Sequence, residues 1–273
     1  MSSHFFGSTH PASQPTDASA DICQPAHHHH HRHTTEQPRS AKGQHPADGR
    51  PSAEKPAAPV AELVFIIDAS GSMMPLTSDT VGGYNSVLKK AAEAGNNALV
   101  TTVFFNQAST IVHDREPIGS IKPLTTSDYV PCGTTALLDT VGSTIERIDL
   151  IQQHQPAGHK PSSTTVCIIT DGLENASHKF SYGRVKHLIS AHKELGWEFL
   201  FLGANIDVAE QAENLGIDLN RAVAYDADST GTFAAFQSFG DAAVRACAGA
   251  PLDDSWRAAV DQDQARRGKR RRR

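Results

Sequence analysis

The sequence has no apolar run long enough to cross a membrane. Its first residues, MSSHFFGSTHP, lack the basic segment and apolar stretch of a secretory leader. Both absences set the expectation of a cytoplasmic chain. Cysteine is scarce: Cys23, Cys132, Cys167 and Cys247 form no CxxC pair and no short-spaced framework. That usage suits a reducing compartment better than a disulfide scaffold. Aromatic residues are only 6% of the chain, and the basic residues near its end have none interleaved for base stacking, so specific nucleic-acid reading is not expected. Several enzyme signatures are missing too. There is no G-x-S-x-G elbow, no Walker A loop and no G-x-G-x-x-G, so the sequence offers no familiar nucleophile or nucleotide cradle.

What is present is unevenly distributed. Residues 1–59 are rich in Pro, Ser, Ala, Gln and His and poor in large apolar side chains, so they cannot offset the entropy cost of ordering and are read as a disordered tail. The run His27–His31 could bind transition metals through imidazole, or serve as a solvated spacer. Residues 60–250 form the candidate domain, and residues 251–273 read as a polar, basic tail. The net charge of −5 hides an asymmetry. Residues 60–260 carry 13 Lys/Arg against 23 Asp/Glu, while the last 13 residues carry 7 basic and 2 acidic groups. Such a tail can contact anionic surfaces by charge alone, or fold back on the acidic domain.

Within the candidate domain, continuous apolar runs alternate with helical stripes. Runs at 62–68, 98–105, 164–170 and 197–202, with a weaker one at 221–225, fit central strands covered on both faces. Residues 109–114 alternate in polarity after a turn at 106–108 and read as an antiparallel edge strand. Helical spacing recurs at 79–94, 136–151, 182–195, 206–215 and 232–247. The alternation predicts an α/β fold: a doubly wound, mostly parallel sheet with helices on both faces and one antiparallel edge strand.

Ligands of such sheets bind beyond the carboxyl ends of the strands. The first strand ends in Asp68-Ala69-Ser70-Gly71-Ser72, one carboxylate and two hydroxyls at alternate positions. The strand at 164–170 is followed by Asp171-Gly172, and Thr134 and Thr135 stand just before a helix. These are hard oxygen donors, suited to Mg²⁺ or Mn²⁺ rather than zinc. Neutral hydroxyls in the inner shell leave the cation much of its charge, so it seeks an anion from outside.

Three segments, VFIIDASGS (64–72), GTTALLD (133–139) and ITDGLENAS (169–177), resemble the metal-ion-dependent adhesion site (MIDAS) of von Willebrand factor A (VWA) domains. GGYNSVL (82–88), VTTVFFN (100–106) and GWEFLFLGANID (196–207) extend the resemblance to small stand-alone bacterial members, of Rossmann-like architecture. The resemblance implies metal roles for Asp68, Ser70, Ser72, Thr135 and Asp171. It implies that the serines and the threonine coordinate directly, that the aspartates act through water, and that a protein partner's carboxylate fills the last position. Thr134, beside Thr135, offers a second hydroxyl where relatives often have Gly or Asn.

Met73, Thr134, Glu174 and Asn175 are the candidate rim of this site, although Glu174 and Asn175 could equally cap a turn and Met73 could pack beneath its loop. Asp128 and Tyr129 lie on the loop before Gly133 and are carried as candidate partner contacts. His113, His154, His159, His178, His187 and His192 show no metal-binding spacing and read as ordinary surface or satisfied histidines.

The expectation is a cation-dependent protein-binding module, not an enzyme. Two alternatives stand beside it. A metal-dependent phosphohydrolase using an aspartyl nucleophile would want a second carboxylate two residues after Asp68, where Ser70 stands. A metal-free VWA scaffold is the other.

Overall fold

Eight consecutive residues, Ala61–Asp68, form strand β1, and all eight are buried. A strand this apolar must have both faces covered. In the computed structural model, which describes residues 61–271 apart from positions 96 and 157, β1 lies at the centre of a six-stranded sheet. The tail at 1–59 and its histidine run fall outside the described residues.

The remaining strands are β2 (Ala98–Phe105), β3 (Ser109–Pro117), β4 (Ser163–Thr170), β5 (Trp197–Gly203) and β6 (Ala222–Ala224). Their order across the sheet is β3-β2-β1-β4-β5-β6. All neighbours pair in parallel except β2 and β3, which are antiparallel, so the edge strand expected from the sequence is there.

The helices are α1 (Thr77–Ala94), α2 (Leu137–His154), α3 (Tyr182–Glu194), α4 (Val208–Leu215), α5 (Ser229–Cys247) and α6 (Ala258–Arg271). Alternation along β1 divides the core between the two faces of the sheet. Leu63, Phe65 and Ile67 pack with Tyr84 of α1 and with Phe236 and Phe239 of α5. Val64 and Ile66 pack with Leu137, Val141 and Ile145 of α2, and with Val185 of α3.

The C-terminal segment departs from the reading of 251–273 as a polar tail. Trp256 is fully buried, and Val260, four residues on, joins it in the core beneath α5 and α6. Two large apolar side chains at helical spacing are too few to register in a strongly charged segment, yet they suffice to seat a helix. The indole N–H of Trp256 donates to the Asn220 carbonyl at 3.2 Å.

At the amino end of β1, Glu62 is buried and accepts from Arg115 Nε at 2.6 Å and Gln152 Nε2 at 2.8 Å. This ion pair holds the end of the sheet remote from Asp68.

Candidate metal centre

Parallel strands β1 and β4 are neighbours, so Asp68 and Asp171 emerge side by side at their carboxyl ends. Asp68 is fully buried. Its Oδ1 accepts the Ser70 N–H at 2.7 Å and its Oδ2 accepts the Thr170 hydroxyl at 2.6 Å. Ser70 Oγ lies 3.1 Å from Ser72 Oγ, and Ser72 Oγ donates to Asp171 Oδ1 at 2.6 Å.

The third loop is stitched to the first two by backbone. Gly71 N–H donates to the Gly133 carbonyl at 3.1 Å, and Cys132 N–H to the Ala69 carbonyl at 2.8 Å. Gly133 has φ of +74°, a left-handed conformation that glycine adopts without penalty. Asn175 clasps Thr135 from both sides: its Oδ1 accepts the Thr135 N–H at 2.9 Å, and its own N–H donates to the Thr135 carbonyl at 3.0 Å. A Cβ at position 172 would lie 3.4 Å from Thr135 Oγ1 and 3.8 Å from Ser72 Oγ. Both hydroxyls thus lie beside Gly172, at ordinary van der Waals distance from where a Cβ would stand.

The structure brings Asp68, Ser70, Ser72, Thr135 and Asp171 to one place. Between the two threonines the geometry is unequal: Thr135 is buried against Gly172, whereas Thr134 is exposed and its N–H turns to Gln107 Oε1 at 3.3 Å.

Two of the four candidate rim residues turn inward. Met73 is fully buried in the core beneath its loop. Glu174 turns inward: Oε2 accepts the Leu138 N–H at 2.8 Å, and Oε1 accepts the N–H groups of Ala176 and Ser177. It thus satisfies one of the open N–H groups at the start of α2, a capping role. Asn175 is exposed, and its side chain and N–H hold Thr135. Tyr129, carried as a partner contact, is buried and donates its hydroxyl to the Asp68 carbonyl. Burial pushes that phenol well above its usual range, which keeps it a donor.

Two organising residues had no assigned role in the sequence reading. Thr170, the last residue of β4, orients Asp68. Asp139 accepts N–H groups from His178, Lys179 and Phe180 at 2.8–2.9 Å and fixes the loop that follows Asp171. Its fixed place at the end of Thr-Ala-Leu-Leu-Asp was the available signal.

Burial pushes the carboxyls of both Asp68 and Asp171 above the usual aspartate range. Hydrogen bonds from Thr170 and Ser70 pull against that for Asp68, and one from Ser72 does so for Asp171. Two desolvated carboxylates beside each other are costly without a nearby positive charge.

No family model matches the chain, and no curated protein does. Solved structures do. The D319A mutant of the PilB minor pilin from Streptococcus sanguinis superposes with a TM-score of 0.50 at 12% identity, covering 76% of this chain and 64% of that one. A von Willebrand factor type A protein from Catenulispora acidiphila gives 0.47 at 15% identity, covering 70% and 43%. Proximal thread matrix protein 1 from the mussel byssus, with a zinc-occupied MIDAS motif, gives 0.47 at 17% identity, covering 70% and 46%. The chain thus spans less than two thirds of each of these proteins, and the likeness is one of fold. With its strand order, its antiparallel edge strand and three motif-bearing loops meeting at the carboxyl ends of β1 and β4, the described domain has the von Willebrand factor A fold.

Proposed function

We propose that this face of the domain holds one Mg²⁺ or Mn²⁺ ion and uses it to bind a carboxylate on a protein partner. The observation that carries the reading is the convergence of five side chains from three loops, tied by the Ser70–Ser72–Asp171 hydrogen-bond chain.

The donor set fits such an ion. Adjacent ligands of an octahedral Mg²⁺ at 2.0–2.1 Å are about 3 Å apart. Ser70 Oγ and Ser72 Oγ stand 3.1 Å apart. Ser70, Ser72 and Thr135 would be the direct neutral donors, with Asp68 and Asp171 accepting hydrogen bonds from the ion's waters. The ion supplies a positive charge only partly offset nearby, and it offsets the cost of two buried carboxylates.

The surroundings fit a protein partner. Met74, Val130 and Leu173 are exposed at 61%, 56% and 53%, and each stands on one of the three loops. Apolar contacts beside the ion would flank the incoming carboxylate. A serine nucleophile needs an adjacent base. In that place Ser72 has the Asp171 carboxylate, which on this reading is engaged by the ion's waters, so binding is favoured over hydrolysis.

Isothermal titration of Mn²⁺ into the full chain tests this. One site is expected, and Asp68→Ala should remove it. Equal heats in the two proteins would sink the reading.

A further inference from the structure

Helices α1 and α5 pack side by side, and a groove of about 210 Å³ lies between them. Gly83, Val87 and Lys90 line it from α1, and Phe233, Gln237 and Gly240 line it from α5. Both sets step by four and then three residues, the spacing that stacks side chains along one side of a helix. Glycine is required at position 83, because a Cβ there would lie 2.4 Å from the ring of Phe236, which is buried beneath the groove. Phe233 stands out of the surface at 59% exposure, the one large aromatic side chain so exposed among the described residues.

An exposed ring beside an apolar groove puts a knob and a hole on one surface. Phe233 marks one end of the groove, near the start of α5. Gly240 marks the other, about 10 Å along the helix. The Lys90 stem lies beside it, 3.4 Å from where a Cβ of residue 240 would stand. A two-fold axis through the middle sets each Phe233 into the Gly240 end of its partner copy's groove, the self-complementary contact of a symmetric dimer. The space suffices for a phenyl ring, since an apolar cavity of about 150 Å³ takes up benzene.

Charge selects the same occupant. Among the six described helices, only α1 and α5 carry acids and bases in equal number: Asp79 and Glu93 against Lys89 and Lys90, and Asp241 against Arg245. Lys90 bonds to Asp241 between the two helices at 2.5 Å, so covering the groove strands no lone charge. Elsewhere acids prevail, with 23 Asp/Glu against 13 Lys/Arg in residues 60–260. Two copies that meet through an unbalanced face repel each other, whereas this balanced face lets them approach. Its extent sets the strength. Helices of 18 and 19 residues make a face about 27 Å long and roughly 20 Å wide. That gives roughly 500 Å² per copy and about 1,000 Å² in all, the size of a weak, reversible interface.

We infer that the α1–α5 face is a homodimer interface, in which Phe233 of each copy fills the groove of the other. The dimer does not depend on the cation, because neither helix supplies a residue of the candidate metal centre.

Sedimentation equilibrium of the full chain over a wide concentration range is the test. The parent should pass from monomer to dimer as concentration rises. Phe233→Ser should raise the dissociation constant about tenfold or more. Its secondary structure should match the parent's, because the ring is exposed in the single chain. Phe233→Leu, still apolar, should keep most of the association. Gln237 is exposed near the middle of the groove, where the two-fold axis brings its two copies together. Gln237→Glu therefore opposes like charges and should weaken the dimer, more so at low salt. This second variant decides the matter if Phe233→Ser fails to fold. Asp68→Ala should dimerise as the parent does, which keeps this result separate from the metal reading. A parent that stays monomeric at every concentration would overturn the inference. So would a dimer that survives Gln237→Glu and a folded Phe233→Ser, or one that is lost in Asp68→Ala, since each places the contact elsewhere.

Discussion

Ser72 Oγ donates to Asp171 Oδ1 at 2.6 Å across a sequence separation of 99 residues. That bond joins the loop after β1 to the loop after β4, and it sets the spacing of the donors around the proposed ion. Thr135 enters from a third loop and turns the pair into a cage.

The two threonines before α2 should separate cleanly. Thr135→Val should weaken Mn²⁺ binding by about tenfold or more, because it removes a donor held in place by Asn175. Thr134→Val should leave the affinity unchanged. Titration calorimetry of the two variants reads the difference, and equal losses would mean that the hydroxyl of 134 also faces the ion.

Glu174 is expected to act on stability rather than on recognition. Its carboxylate accepts three backbone N–H groups and the Ser177 hydroxyl. Glu174→Ala strands those donors, so unfolding by urea should be easier by about 1–3 kcal/mol. A variant with unchanged stability but altered partner binding would return Glu174 to the rim.

Trp256 tests whether the C-terminal segment belongs to the domain. Its indole is fully buried and bonded to Asn220. Trp256→Ala should cost about 3–5 kcal/mol in chemical denaturation. A loss under 1 kcal/mol would mean that α6 contributes little to the fold.

The acid limb of stability should carry the signature of Asp139. Burial pushes its carboxyl up, but the N–H groups of His178, Phe180 and Lys179 outweigh burial and hold it below the usual aspartate value. A depressed folded pKa gives stability that is present above the unfolded value, about 3.9. It is lost as pH falls through the folded value. Asp139→Asn should therefore destabilise the domain at neutral pH and flatten its decline below about pH 4. A melting series from pH 2 to 7 checks this; parallel curves for the two proteins would count against it.

Asp68 and Asp171 have the opposite sign. Burial raises both in the metal-free protein, so their protonated forms favour folding, and that contribution fades as pH rises through their folded values. The cation should reverse the loss. Chelation should lower the melting temperature more at pH 7 than at pH 4. Equal shifts at both pH values would argue against these carboxylates acting on the ion.

The sequence by itself determined the layered sheet, because runs such as Leu63–Ile67 have no polar position and can be satisfied only by cover on both faces. It also determined which strand ends carry oxygen donors, since a strand's carboxyl end is fixed by chain direction. Tertiary structure alone decided what those donors and their neighbours do. Nothing local distinguishes Thr134 from Thr135, or shows that Glu174 turns inward to cap α2 while Tyr129 is spent on the Asp68 carbonyl. Those choices depend on which backbone groups were left open by elements far along the chain. The same holds for α6: Trp256 and Val260 are an ordinary pair in a charged segment until α5 offers a surface to bury them.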